Sequence, residues 1–173
     1  MTLPTLRVER RFWRMLAPKW SHRPLDGTGA ATHGGRYNPP GMPALYMSED
    51  AATAIAEYEQ ELGIRPGMLC VYEVDVAGIV DLCDAVACKR LRIESAALRC
   101  AWKEIAFIRG RRPPSWDIAD RLFRRGTSGI YAPSTRRAGG RNLVLWRWND
   151  GPTRSVKALD PLGDLPKNQR SWQ

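Results

Sequence analysis

Between His33 and Glu57 the chain reads HGGRYNPPGMPALYMSEDAATAIAE, and no other stretch limits its own conformation so tightly. Three glycines and three prolines between His33 and Pro43 exclude a helix or central strand there. Glycine gives up too much backbone entropy in such elements, and proline lacks the N–H that either hydrogen-bond ladder needs. Arg36 is therefore carried on a shaped loop, with Gly34 and Gly35 allowing the backbone close to a ligand. Beyond it, Ala44 to Met47 reads as a short buried strand. Ser48, followed by Glu49 and Asp50, reads as the N-cap of a helix that begins at Glu49. On that helix Ala51, Ala54, Ile55, Tyr58 and Leu62 fall on one face at helical spacing, which leaves Glu57 on the flank, free to point into a cleft.

The rest of the chain supplies strands and helices in mixed order, an α+β pattern. Arg7 to Leu16 is expected as a strand, with helix competing because of its length, and Arg14 breaks its otherwise apolar second half. Pro18 to Gly35 reads as a long loop holding the chain's two histidines, of which His33 is expected to be a surface residue. Met68 to Val76 alternates as a strand, and Ala77-Gly78 is expected to turn it into a second at Ile79 to Leu82. Leu98, Ala101, Trp102, Ile105 and Ala106 form an apolar stripe that predicts a helix within Leu91 to Ile108. After a basic turn, Ser115 is expected to cap a helix carrying Trp116, Ile118 and Leu122, which Gly126 ends. Ser128 to Ala132 reads as a strand closed by Pro133, placing the Ser134 hydroxyl within reach of a pocket. Strands at Leu143 to Trp148 and Ser155 to Leu159 follow, joined by the turn Asn149-Asp150-Gly151. From Pro161 the tail is irregular, with Trp172 expected to pack on the body.

At 173 residues, without internal repeats, the sequence predicts one domain over residues 1–173. No apolar run is long enough to span a bilayer and the N-terminus is charged where a signal peptide needs an apolar core, so a cytoplasmic protein is expected. Cys70, Cys83, Cys88 and Cys100 lack the paired spacing of zinc sites and read as buried, reduced thiols, with no metal. The formal charge is +9, and 22 of the 27 basic residues are Arg. The guanidinium fork suits phosphate and carboxylate, so an anionic ligand or partner follows, be it nucleic acid, a dinucleotide or an acidic protein. There is no Walker loop, dinucleotide fingerprint or nucleophile elbow.

Arg36, Tyr37, Asn38, Tyr46, Ser48 and Glu57, in this order and spacing, resemble the signature of the RES domain, the toxin half of Xre-RES toxin-antitoxin pairs. Gly129 to Ser134 and Asn142 to Leu145 are similar to that family's second element, so the resemblance covers most of the chain. It implies a compact ADP-ribosyltransferase-like fold, two small sheets with flanking helices around an NAD+ cleft. It further implies cleavage of the nicotinamide–ribose bond, with Glu57, Tyr46 and Arg36 catalytic and Arg14, Arg36, Tyr37, Asn38 and Ser134 binding the substrate. NAD+ is then a substrate, the ADP-ribose acceptor is expected to be a host target protein, and water or phosphate are the alternatives that would make the protein an NAD+ glycohydrolase or phosphorylase. An Xre-type antitoxin is the implied partner, inhibiting by occluding the active site, with nucleic acid met only through it. A non-catalytic, basic nucleic-acid-binding module is the reading of another class, to which the charge contributes but for which no recognition motif is present.

Overall fold

A computed structural model describes residues 2–59 and 63–170. The first strand, β1 (Thr5–Leu16), runs antiparallel to the long β3 (Met68–Asp81) from Thr5 opposite Val80 to Leu16 opposite Met68. On its other edge β3 takes β6 (Arg154–Ala158), also antiparallel. The second group is β2 (Leu45–Ser48), β5 (Arg141–Leu145) and β4 (Gly129–Pro133), with β5 in the middle and antiparallel to both neighbours. Two seams join the groups: the end of β3 pairs in parallel with β4, and Trp13 on β1 faces Ser48 on β2. The two small sheets anticipated are thus two halves of one six-stranded sheet folded on itself.

Strand alternation separates two cores. Val8, Phe12, Leu16, Tyr72, Val74 and Val76 meet Leu45, Met47, Tyr131, Leu143 and Leu145 between the halves. On the outer face of the second half Ala44, Ile130, Ala132, Val144 and Trp146 pack under α3 (Ala85–Leu91), α4 (Ser95–Leu98) and α5 (Pro114–Arg124), through Leu91, Leu98, Ile118, Ala119 and Leu122. The same three strands therefore serve both cores with alternate residues.

Several expectations need correction. Ala77-Gly78 is no hairpin turn. β1 is long enough to pair with both sides of it, and Gly78, at φ +81°, is taken up as a bulge between the pairs Arg7–Ala77 and Leu6–Ile79. The bulge shifts the alternation, so that Val76 and Ile79 both face the inner core while Val80 turns to the outer one. The loop after Pro18 contains a helix, α1 (Thr28–His33), whose last residue His33 is exposed. The helix over Leu91 to Ile108 is broken into the end of α3, the single turn of α4 and a π-helical turn at Glu104–Ile108, for a reason found in the site below. Ser115 does not cap α5: Pro113 stands at the N-cap with Pro114 in the first turn, and the Ser115 hydroxyl accepts from the Cys100 thiol. Of the cysteines, Cys70 is buried but Cys83 is exposed, and all four are free thiols. Leu62 and Trp172 lie outside the described residues. No helix among the described residues is long and apolar enough to cross a membrane.

Candidate active site

The site lies on the outer face of the second half-sheet, where β2, β5 and the loop after β4 meet α2 (Ala51–Tyr58). α2 starts later than the sequence suggested, because Ser48 is still the last residue of β2 and its hydroxyl donates to Asn142 Oδ1 at 2.7 Å. The cap is Asp50, whose carboxylate accepts from the Thr53 N–H at 2.8 Å and from the Thr53 hydroxyl at 2.8 Å. Seven residues on, Glu57 reaches back over the strands. Its Oε1 accepts from the Ser134 hydroxyl and from Asn142 Nδ2, each at 2.7 Å. Among the described residues no donor holds Oε2. Glu57 is thus a carboxylate with one oxygen fixed and one available, on the wall of a cleft of about 150 Å³ that Tyr46, Ser48 and Asn142 also line.

Ser134 has no hydrogen to spare for a ligand. Its hydroxyl donates to Glu57 and accepts from the backbone N–H groups of Arg136 and Arg137 at 3.1 and 3.0 Å, which fixes the direction of its proton. The sequence suggested a ligand-binding hydroxyl; the geometry gives it the role of holding Glu57. Asn142 and Ser48 complete the same chain; both lie in the stretches that carry the family resemblance, but neither was given a role in the site. The usable signal was their parity: both share the outward register of Tyr46 and Val144.

The loop from Gly35 to Asn38 is tied down at nearly every polar atom. Gly35 O accepts from the Trp116 indole at 2.7 Å and Tyr37 O from the Trp146 indole at 2.9 Å. Asn38 is wholly buried; its amide donates to the carbonyls of Ala30 and Met42 at 2.8 and 2.9 Å, and its Oδ1 accepts from the Tyr46 hydroxyl at 2.7 Å. Tyr46 in turn accepts from the Tyr37 N–H at 3.0 Å. A side chain at Gly35 would place its Cβ 2.5 Å from the Tyr46 oxygen, so only glycine lets the loop lie this close. Tyr37 is buried, its hydroxyl donating to Leu98 O at 3.2 Å. Tyr37 and Asn38, expected to bind substrate, therefore shape the loop and leave Arg36 as its outward group. Burial pushes both the Tyr37 and the Tyr46 phenols well above the usual tyrosine range, with Arg36 acting in the opposite sense on each. Tyr46 stays a neutral hydroxyl, and it feels both the Arg36 and the Glu57 charge.

Arg36 explains the broken helix. Its Nη1 donates to Cys100 O at 2.6 Å and to Leu98 O at 3.4 Å, while Nη2 donates to the Thr135 hydroxyl at 3.2 Å. Leu98 O also takes the Tyr37 hydroxyl, and Cys100 O the Trp102 N–H at 2.8 Å, so these carbonyls serve the loop and a tight turn in place of residues four positions ahead. Among the described residues no carboxylate lies within ion-pair distance of Arg36, so its charge is met by the carbonyls of Leu98 and Cys100 and the Thr135 hydroxyl. Arg137 latches the loop after Ser134 to α2, through Thr53 Oγ1 at 3.2 Å and Asp50 at 3.4 Å.

Arg14 also lines the cleft, but its guanidinium has other partners. It donates to Pro24 O at 3.2 Å, beside Tyr72, whose hydroxyl donates to the same carbonyl at 3.0 Å. Burial lowers its pKa from the ordinary arginine value, with Tyr72 offsetting part of the effect. Hydrogen bonds thus gather Tyr37, Asn38 and Tyr46 into one group and Glu57, Ser134, Asn142 and Ser48 into another; Tyr46, Glu57 and Arg14 line the same cleft, and Arg36 is bonded to Leu98 O, Cys100 O and the Thr135 hydroxyl. No cluster of three or more His, Cys, Asp or Glu side chains suited to a metal occurs among the described residues.

Residues 11–168 match the model of the family described as the RES domain. Among solved structures, the fold is similar to one described as the crystal structure of the M. tuberculosis MbcT-MbcA toxin-antitoxin complex. The TM-score is 0.60 at 22% sequence identity, over 91% of this chain and 87% of that chain. None of the curated proteins matches the chain.

Proposed function

Because the chain belongs to the RES domain family, whose toxins process NAD+, we propose that it cleaves the bond between nicotinamide and ribose and transfers the ADP-ribose to a protein. The observation that carries this reading is Glu57, held at one oxygen by Ser134 and Asn142 and open at the other beside Tyr46. As the C–N bond breaks, its electron pair leaves with nicotinamide and the ribose becomes oxocarbenium-like. Glu57 Oε2 stabilises that cation without having to reorient, which is where fixed electrostatics contribute most. Tyr46 presents its ring to the ribose or nicotinamide, its hydroxyl being held by Asn38 and the Tyr37 N–H. Arg36, with no carboxylate partner among the described residues, takes the pyrophosphate through charge-assisted hydrogen bonds. The acceptor then adds to the ribose carbon and gives up a proton. The role once expected of Arg14 as second phosphate anchor is not retained, since its guanidinium is engaged by Pro24 and Tyr72.

An enzyme of this kind has to be restrained, and an antitoxin of the Xre type fits if it inserts a carboxylate-bearing segment at Arg36. Labelled NAD+ incubated with the purified protein and a bacterial lysate tests the reaction. Release of nicotinamide together with label on a discrete protein band is the expected result. Release with free ADP-ribose or its phosphorylated form as sole product makes the protein an NAD+ degrader, and no release at all removes the enzymatic reading.

A further inference from the structure

The segment from Arg99 to Arg112, drawn out of a regular helix beside Arg36, projects apolar side chains that stay largely exposed among the described residues. Phe107 is 60% and Ile108 80% exposed, at the end of the π-helical turn. The same segment carries Arg99, Lys103, Arg109, Arg111 and Arg112 against one carboxylate, Glu104. Glu104 is taken by Arg109, and Arg112 reaches Asp117 and Asp120 on α5. Arg99 and Arg111 have no side-chain partner among the described residues. Lys103 lies 5.9 Å over the Trp102 ring.

This patch is continuous with the site. Phe107 meets the edge of Trp102 at 5.9 Å between ring centroids, Trp102 lies 6.4 Å from Trp116, and Trp116 donates to Gly35 O, the carbonyl just before Arg36. The Arg36 guanidinium itself rests on Leu98 O and Cys100 O, at the root of the segment. Unpaired cations alone suit any polyanion, but two bulky apolar side chains among them add nothing to phosphate binding and favour an apolar counterpart. We propose that Arg99 to Arg112 is a docking surface for an acidic segment of another polypeptide carrying aromatic or aliphatic side chains, which it seats next to Arg36. The proposal stands on this surface alone and does not depend on NAD+ chemistry.

Defined polymers test it. A fluorescent random copolymer of glutamate and tyrosine should bind the full chain more tightly than polyglutamate of the same length and more tightly than duplex DNA. The double substitution Phe107→Ser with Ile108→Ser should weaken copolymer binding about tenfold, the scale of losing an apolar anchor, and leave polyglutamate binding unchanged. Arg111→Glu should weaken both and flatten their salt dependence. All these residues are exposed, and a parental thermal melt shows that each variant is folded. Equal binding of the two polymers, tighter binding of DNA, no binding of the copolymer, or unchanged copolymer affinity in the double variant would each overturn the proposal.

Discussion

The two faces of the half-sheet formed by β2, β5 and β4 differ by a single step along the chain. On one face Leu45, Met47, Leu143 and Leu145 are sealed between the half-sheets, where only volume and apolarity matter. On the other, one residue along, stand Tyr46, Ser48 and Asn142, each hydrogen-bonded and each lining the cleft. A one-residue slip of register would exchange the two sets. The inner face fixes the strands and the outer one uses the positions so fixed. The cleft thus depends on a core of which, among these four residues, Met47 alone reaches its wall.

Neighbouring substitutions on β5 separate the two contributions. Leu143→Ala empties a fully buried position and should cost about 2–5 kcal/mol, read as a lowered denaturation midpoint, while the folded fraction keeps its activity. Asn142→Ala, one residue away, should leave the melt within about 1.5 kcal/mol yet reduce turnover at least about tenfold, because Glu57 loses one of its two donors. If both variants lost stability alike with turnover per folded molecule intact, the division between faces would fail.

A smaller effect is expected at Tyr46, which belongs to both roles. Tyr46→Phe keeps the ring but strands the Tyr37 N–H and Asn38 Oδ1, at a cost of about 1–3 kcal/mol in an equilibrium melt. An unchanged melt would show that the loop around Arg36 is not held from the strand.

Smallest is the cap of α2. The Thr53 N–H holds the Asp50 carboxyl below its ordinary pKa; desolvation opposes this, and the Thr53 hydroxyl and Arg137 add to the lowering. A carboxyl depressed on folding stabilises the fold above its unfolded pKa, near 3.9, and that contribution disappears as pH falls through the folded value. Asp50→Ala should therefore cost about 1 kcal/mol at neutral pH, and the gap from the parent should close in acid. A gap that persisted below that range would assign the loss to packing instead of the cap.

Much of this was legible in the chain. Alternation and short apolar runs marked the strand positions to within a few residues, although β3 was divided in two at Ala77-Gly78, and the glycine and proline spacing marked Arg36 as a loop residue. What escaped was set by long-range partners. The apolar stripe from Leu98 to Ala106 is helical by period, but Arg36, more than sixty positions earlier, takes its carbonyls. Arg14 looked like a ligand group because a charge interrupts an apolar strand; Pro24 and Tyr72 supply a reason that local sequence does not contain. Ser134 could be placed near a pocket by its strand, but the grip it shares with Asn142 on one oxygen of Glu57 is a property of the folded register.

The most direct measurement is nicotinamide release by Glu57→Gln beside the parent. A glutamine oxygen can still accept from Ser134 and Asn142, so the fold and the loop should remain, with the melt unchanged within about 0.5 kcal/mol. What is lost is the charge on the open oxygen, and turnover should fall about a hundredfold to a thousandfold, equivalent to roughly 2.7–4 kcal/mol of transition-state stabilisation. NAD+ binding should persist through Arg36. A folded Glu57→Gln protein that releases nicotinamide at the parental rate would contradict the account at its centre.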